Sequence, residues 1–436
     1  MSTEEELGTI DNTVGVIPYL ALEPDEFDAE VARYRAGEIQ ETKFTPWRLR
    51  RGVYGQRQPD AQMMRIKLPG GLANAQQLEA LAVVTDRYVP LKKGHVTTRE
   101  NVQFHHVKLE NASRAMRVLG SAGLSTREAC GNTVRNVIAD PLIGIDPQQA
   151  FDITPYLVAY VRKFVRHSVT QDMPRKVKTA FSSGDHDPAL TGMHDLGFVA
   201  RIRNVDGQPR KGFKIVVGGG TSIMAKVAAT LYEFVPVDEY LKVSEAVLRV
   251  FNQADELRQN KMMARIKVLV HRHGIEKVRE LVEEELSKPW ASEGNYDPEP
   301  LMAYAQEAPP TIPEKVVTEG LDSKEFQIWK ETNVTEQIQK GYFAAYAKIE
   351  QGDLNAEQFR GIARAATLYG SGTIAVSAEQ NLAFRWVPEA NLFGLWQELE
   401  AIGLSGSEVY GITDVTSCPG TDSCKLGITS SMGLNR

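Results

Sequence analysis

Two stretches of this chain are copies of one another, and that repeat constrains its architecture more than any other feature. NAQQLEALAVVTDRY, from Asn74 to Tyr88, returns as NAEQFRGIARAATLY, from Asn355 to Tyr369, 281 positions later. VTTRENVQFHHV, from Val96 to Val107, returns as VSAEQNLAFRWV, from Val376 to Val387, 280 positions later. The one-residue slip fits a shortened loop between elements, and the register then holds at AGLS (122–125) and IGLS (402–405). A match held over about 50 residues reads as duplication rather than shared amphipathicity. Each copy has an Asn where a helix N-cap belongs, then apolar residues at helical spacing, a turn and an alternating β segment. A second helix follows (Ala112 to Leu119; Leu392 to Leu399), ending near Gly123 or Gly403. That grammar is half of an α+β sandwich, and two halves pair into one pseudo-symmetric domain.

Between the copies lies an independent block. Gly144 to His167 reads as helix, and KGFKIVVGGGTSIMAKVAATL as a buried strand, a glycine turn and a following helix. Val237 to Ser287 is helical and charge-laced, and Lys288 to Glu314 is a Pro-rich, acidic stretch expected to be an exposed linker. The boundaries predicted are an N-terminal segment 1–45, half-domains 46–125 and 330–408, a central block 126–287, a linker 288–329 and a C-terminal portion 409–436. With 436 residues the chain has room for about three domains. Its formal charge of −6 argues against a general nucleic-acid binder. Three cysteines cannot build a disulfide framework, so a reducing compartment is expected. The start, MSTEEELGTID, lacks a signal peptide's basic and apolar regions, and no apolar run approaches the roughly 20 residues of a membrane span. Together these point to a cytoplasmic enzyme.

Basic residues stand where amphipathicity does not ask for them: Arg99 in KKGHVTTRENVQFHH, Arg135 in ACGNTVRNV, Lys176 and Lys178 in MPRKVKTAF. Two lysines two apart on a strand share a face and repel unless an anion lies between them. A solvated strand edge competes with an anion site as the explanation. VVGGGTSIMA (216–225) puts three glycines after a strand, where backbone N–H groups can meet a carboxylate or phosphate. It lacks the spacing of a nucleotide-binding loop, and a tight turn explains it as well. His105 and His106, adjacent on a strand, should face opposite ways, and together with His271 and His273 take a structural or surface reading. HDPALTGMHD (186–195) mixes His and Asp without regular ligand spacing. Cys418 and Cys424 frame CPGTDSC before KLGITSS, an expected helix start; thiolates so placed suit an iron–sulfur cluster or zinc. Cys130 reads as a buried thiol or one facing a site.

At these residues the chain resembles the sulfite/nitrite reductases that couple sirohaem to a 4Fe–4S cluster. The matching pieces are VYGQRQPDAQMMRIKLPGG (53–71), HVTTRENVQFH (95–105), GNTVRNV (131–137), MPRKVK (173–178), GFKIVVGGG (212–220) and CPGTDSCKLGI (418–428), in family order along nearly the whole chain. The resemblance implies two ferredoxin-like half-domains, an α/β sirohaem-binding domain and the start of a second one. It makes Arg99, Arg135, Lys176 and Lys178 the basic quartet around sulfite or nitrite. It puts Gln103, His105, Asn132, Asn136, Gly218, Gly219 and Gly220 beside sirohaem, where Arg50 and Arg51 also suit a carboxylate-rich ring. It makes Cys418 and Cys424 the first two cluster ligands, and implies a donor such as ferredoxin or a reductase flavoprotein, with no membrane or nucleic-acid partner.

On the same resemblance a second cysteine pair, C-x3-C, is expected some tens of residues beyond Cys424, past Arg436. The expectation is thus a sulfite or nitrite reductase lacking its C-terminal cluster-binding portion. Rival readings are a non-catalytic scaffold that holds sirohaem or a related tetrapyrrole, and a zinc-containing interaction module built on Cys418 and Cys424.

Overall fold

Both repeat copies open their long helix with the same reciprocal cap. Asn74 Oδ1 accepts from Gln77 N at 2.8 Å while Gln77 Oε1 accepts from Asn74 N at 3.0 Å. Asn355 and Gln358 repeat the exchange at 2.9 and 3.0 Å. Each box satisfies two of the N–H groups that a helix start leaves without partners. The computed structural model describes residues 15–306, 308–317 and 319–435. The acidic opening stretch, residues 1–14, lies outside the described residues.

The chain divides into two compact units: Met1–Arg127 with Pro309–Arg436, and Glu128–Ala308. The first contains two five-stranded sheets. One runs β1 (Val53–Gly55), β2 (Ala61–Ile66), β5 (Val102–Lys108), β4 (Lys93–Val96), β12 (Asp353–Asn355). The other runs β10 (Val334–Glu336), β11 (Tyr342–Ala347), β14 (Leu382–Pro388), β13 (Thr373–Val376), β3 (Leu72–Asn74). The outer strands are exchanged: β3 from the first copy pairs antiparallel with β13 of the second, and β12 from the second pairs with β4 of the first. The helices Ala75–Tyr88 and Ala356–Tyr369 pack together, burying Leu78, Leu81 and Val84 with Phe359, Ile362 and Ala366 in one shared core. A fully buried Leu or Phe contributes about 1.5–3 kcal/mol, so this core is the principal source of cohesion between the copies.

The central unit holds a four-stranded sheet, β6 (Thr179–Ser182), β7 (Leu196–Val205), β8 (Gln208–Val217), β9 (Ala229–Pro236), with β6 and β7 parallel and the other pairs antiparallel. Tyr160, Phe181, Phe198, Phe213 and Tyr240 meet in its core, with Phe181 stacked on Phe198 at 4.4 Å between ring centroids. Three expectations are corrected here. The helix expected from Gly144 begins only at Thr154. Upstream, Asp140, Asp146 and Asp152 each accept the N–H two residues on, at 2.7, 2.8 and 2.8 Å, a bond that competes with the helical ladder. The helix expected after the glycines is strand β9, paired with β8. Residues 288–306, expected as linker, pack within the central unit: Tyr296 donates to the buried Glu245 at 3.1 Å and Arg162 to Tyr304 at 2.6 Å. Among the described residues no helix is long and apolar enough to cross a membrane.

Candidate functional site

The two basic motifs of the central unit are laced together by their backbones. Met173 N donates to Asn132 O at 3.1 Å, Val177 N to Thr133 O at 3.0 Å, and Arg135 N to Val177 O at 2.9 Å. Val134 and Val177, both buried, form a parallel bridge. Lys176 and Lys178 flank Val177 and lie just ahead of β6, outside the strand on which they were expected. Arg135 is held by its own turn, Nε donating to Gly131 O and Nη1 to Ala129 O, each at 3.0 Å. Asn136 is buried one residue later. Lys176 is the electrostatic centre of the group. Burial, and then the charges of Arg135, Lys178, Arg265 and Arg175, push its ammonium down to about 7.

Arg265 was not singled out in the sequence, and Asp195 stood there only as the last residue of the stretch 186–195. Asp195 is fully buried ahead of β7, and Arg265 precedes the helix Ile266–Leu286. Oδ1 of the aspartate accepts from Arg265 Nε at 2.8 Å, and Oδ2 from Arg265 Nη2 at 2.5 Å and Lys178 N at 2.7 Å. The loop after β8 lies against the same residues: Gly218 N donates to Asp195 O and Gly219 N to His194 O, at 2.9 and 2.8 Å. Glycine is demanded here, since Gly218 has φ +83° and a Cβ at Gly219 would come within 2.2 Å of Gly192 O. Beyond Gly220, Lys267 donates to the carbonyls of Thr221 and Ile223 at 2.8 and 2.7 Å, so a buried ammonium ties down the loop's oxygens.

In the other unit Arg99 lies on the turn joining β4 and β5, its N–H donating to Thr97 Oγ1 at 3.1 Å, with the following Glu100 buried at φ +51°. The equivalent turn of the second copy carries Glu379 in place of Arg99. Gln103, with its amide oxygen toward Arg65, accepts from Arg65 Nη2 and Nε at 2.9 and 3.1 Å and donates to His105 Nε2 at 3.2 Å. His105 and His106 do not face opposite ways. The β2–β5 register slips at this point and His106 takes φ +60°, so a bulge turns both rings to one pocket with His95 and Asp353. Burial, reinforced by the neighbouring His95 and His106, lowers His105 to about 3, keeping it neutral.

The thiols of Cys418 and Cys424 are exposed, and Cys130 is buried. Their loop is tied down by Arg57, whose N donates to Ser423 O at 3.1 Å and Nη2 to Gly427 O at 2.7 Å. The helix expected over KLGITSS is absent; a short helix forms only at Ser431–Asn435, after Gly427. Within 186–195, His186 pairs with Asp146 at 2.8 Å, Asp187 accepts from the N–H of Thr191 at 3.0 Å, and Asp195 is committed to Arg265. Among the described residues no three or more His, Cys, Asp or Glu side chains are grouped to hold a metal.

Comparison with known proteins places this geometry. A family model described as the nitrite/sulfite reductase ferredoxin-like half domain matches residues 54–122 and again 335–402. A second, the nitrite and sulphite reductase 4Fe-4S domain, matches residues 130–290. The chain belongs to the nitrite and sulfite reductase family. Its relatives within that family include a ferredoxin sulfite reductase of Mycobacterium tuberculosis, 28% identical over 364 residues, covering 84% of this chain and 60% of the relative. A ferredoxin–nitrite reductase of Synechococcus elongatus is 27% identical over 376 residues, covering 85% of this chain and 67% of the relative. The solved structure of the Mycobacterium tuberculosis NirA protein superimposes with a TM-score of 0.74 at 26% identity, covering 91% of this chain and 69% of that one. This member of the reductase family thus spans about 60% of the length of the mycobacterial relative.

Proposed function

We propose that this chain binds sulfite or nitrite at Arg135, Lys176 and Lys178, and forms the substrate- and sirohaem-binding part of a reductase of that anion. The carrying observation is Lys176, half-buried with four cationic neighbours pressing on it. Gathering such charges costs free energy that a bound anion returns. Arg135, oriented through Nε and Nη1, contributes its positive charge to the anion, while Lys176 holds and releases a proton at Nζ near neutral pH. Protons of that kind are needed by oxygens that leave as water. Arg99 is assigned to the same task on the resemblance of its motif, and its backbone N–H is held by Thr97 Oγ1.

The residues fit a polycarboxylate such as sirohaem. The basic group supplies cations for it, while the glycine loop, its N–H groups spent on the carbonyls of Asp195, His194 and Lys226, would offer the ring a close approach to backbone without a Cβ in the way. Asn132, Asn136, Gln103 and His105 are assigned to the same ring. When bound with a 4Fe–4S cluster, sirohaem supplies the electron transfer for multi-electron reduction to sulfide or ammonia. Cys418 and Cys424 provide two thiolates toward such a cluster, and among the described residues no further metal ligand joins them. Two thiolates fall short of the four such a cluster takes. Ferredoxin is the proposed donor, since both named relatives are ferredoxin enzymes.

The test is calorimetric titration of sulfite and nitrite into the purified chain. Lys178→Met should weaken binding about tenfold or more, the worth of one charge-assisted hydrogen bond, with the melting temperature unchanged. Wild-type affinity in the variant would overturn the assignment.

A further inference from the structure

We propose that Arg265 is a positioning residue for the anion site: it acts as the internal counter-ion of Asp195 and so keeps that buried carboxylate from capturing the lysines. The inference rests on the anion-binding reading above. Asp195 spends its polar groups on three segments at once. Its carboxylate holds the N–H of Lys178 and the guanidinium of Arg265, its N–H donates to Lys178 O at 3.0 Å, and its carbonyl accepts from Gly218. It is therefore the joint between the lysine segment, the glycine loop and the start of the helix Ile266–Leu286. A joint made of a carboxylate is a hazard beside an anion site, because its charge lies against Lys178, whose N–H it holds, and is felt by Lys267. A buried carboxylate left without a partner recruits whatever cation can reach it.

Arg265 removes the hazard. Its fork spans both carboxylate oxygens, a geometry that a lysine ammonium cannot match. With side chains 14% and 0% exposed, the pair is shielded from competing water. Asp195 can then fix the Lys178 backbone without cancelling the positive field around Lys176. The charges facing Lys176 are those of Arg135, Arg175, Lys178 and Arg265, in accord with this division of labour.

The test compares wild type, Arg265→Gln, Asp195→Asn and the double variant of the full chain. The readouts are titration of isotope-labelled lysine by NMR, sulfate binding by calorimetry, and thermal unfolding. In Arg265→Gln the Lys176 resonance should titrate several pH units higher and sulfate affinity should fall tenfold or more. In the double variant, which removes both charges, affinity should return to within about threefold of wild type. A merely structural pair predicts the reverse, a double variant no better than either single one, and that result would overturn the proposal. Should Arg265→Gln fail to fold, Asp195→Asn decides: sulfate affinity equal to or above wild type supports the counter-ion role, and a tenfold loss at unchanged melting temperature overturns it. The lysine titration is read without any ligand. Absence of sulfate binding in wild type therefore counts against the anion-site reading, while an unmoved Lys176 resonance in Arg265→Gln counts against the counter-ion alone.

Discussion

Lys176 is where burial and like charge meet, and its consequences can be read by pH. Its folded value, about 7, is below the ordinary 10.5, so between these limits the unfolded chain holds more protons than the folded one. The cost of the half-buried ammonium is present in full below pH 7 and is relieved as pH rises toward 10.5. Chemical denaturation should therefore show Lys176→Met gaining more stability over wild type at pH 6 than at pH 9; an equal gain at both would contradict the assignment. A bound anion works in the opposite direction and restores the proton. Calorimetry at pH 8 in buffers of differing ionisation enthalpy should show proton uptake with sulfite in wild type and none in Lys176→Met. The motifs around Arg135, Lys176 and Lys178 were legible because charge placed against amphipathicity is visible in a sequence. Arg265 was not, since it reads as one more basic residue in a charged helical stretch. Only the buried Asp195, far away in sequence, gives it a purpose. His105 and His106 misled for a related reason: alternation assumes an unbroken strand, and a positive φ at His106 appears nowhere in the residue types.

At the scale of elements, the capping boxes explain why the repeat was legible at all. Asn74 and Asn355 do the same work at equivalent helix starts, so each is held by the backbone it satisfies. Replacing either with Ala should cost about 1 kcal/mol, seen as a drop in the denaturation midpoint at unchanged slope. The two losses should add, because the caps belong to separate helices. The residues 226–236 show the limit of local reading. KVAATLYEFVP has helical preferences in its alanines, yet antiparallel pairing with β8 decides the outcome. The stretch 144–153 errs in the same sense, with Asp146 and Asp152 capturing the N–H groups of Gln148 and Thr154 within the expected helix.

At the scale of the whole molecule, the exchange of β3 and β12 sets how the repeat unit holds together. Either copy expressed without the other leaves the edge of β4 or β13 unpaired, the hazard of an open sheet edge. Residues 15–127 alone should therefore associate or precipitate, and co-expression with residues 309–435 should return a soluble one-to-one complex by light scattering. A stable, monomeric 15–127 would show that the exchanged strand is dispensable. Exchange of this kind between separate molecules is a mass-action affair that weakens on dilution. Here one chain carries both partners, so the closure draws on a fixed effective concentration and is indifferent to how much protein is present. The 181 residues inserted between the copies, 128–308, are the tether across which that closure is made.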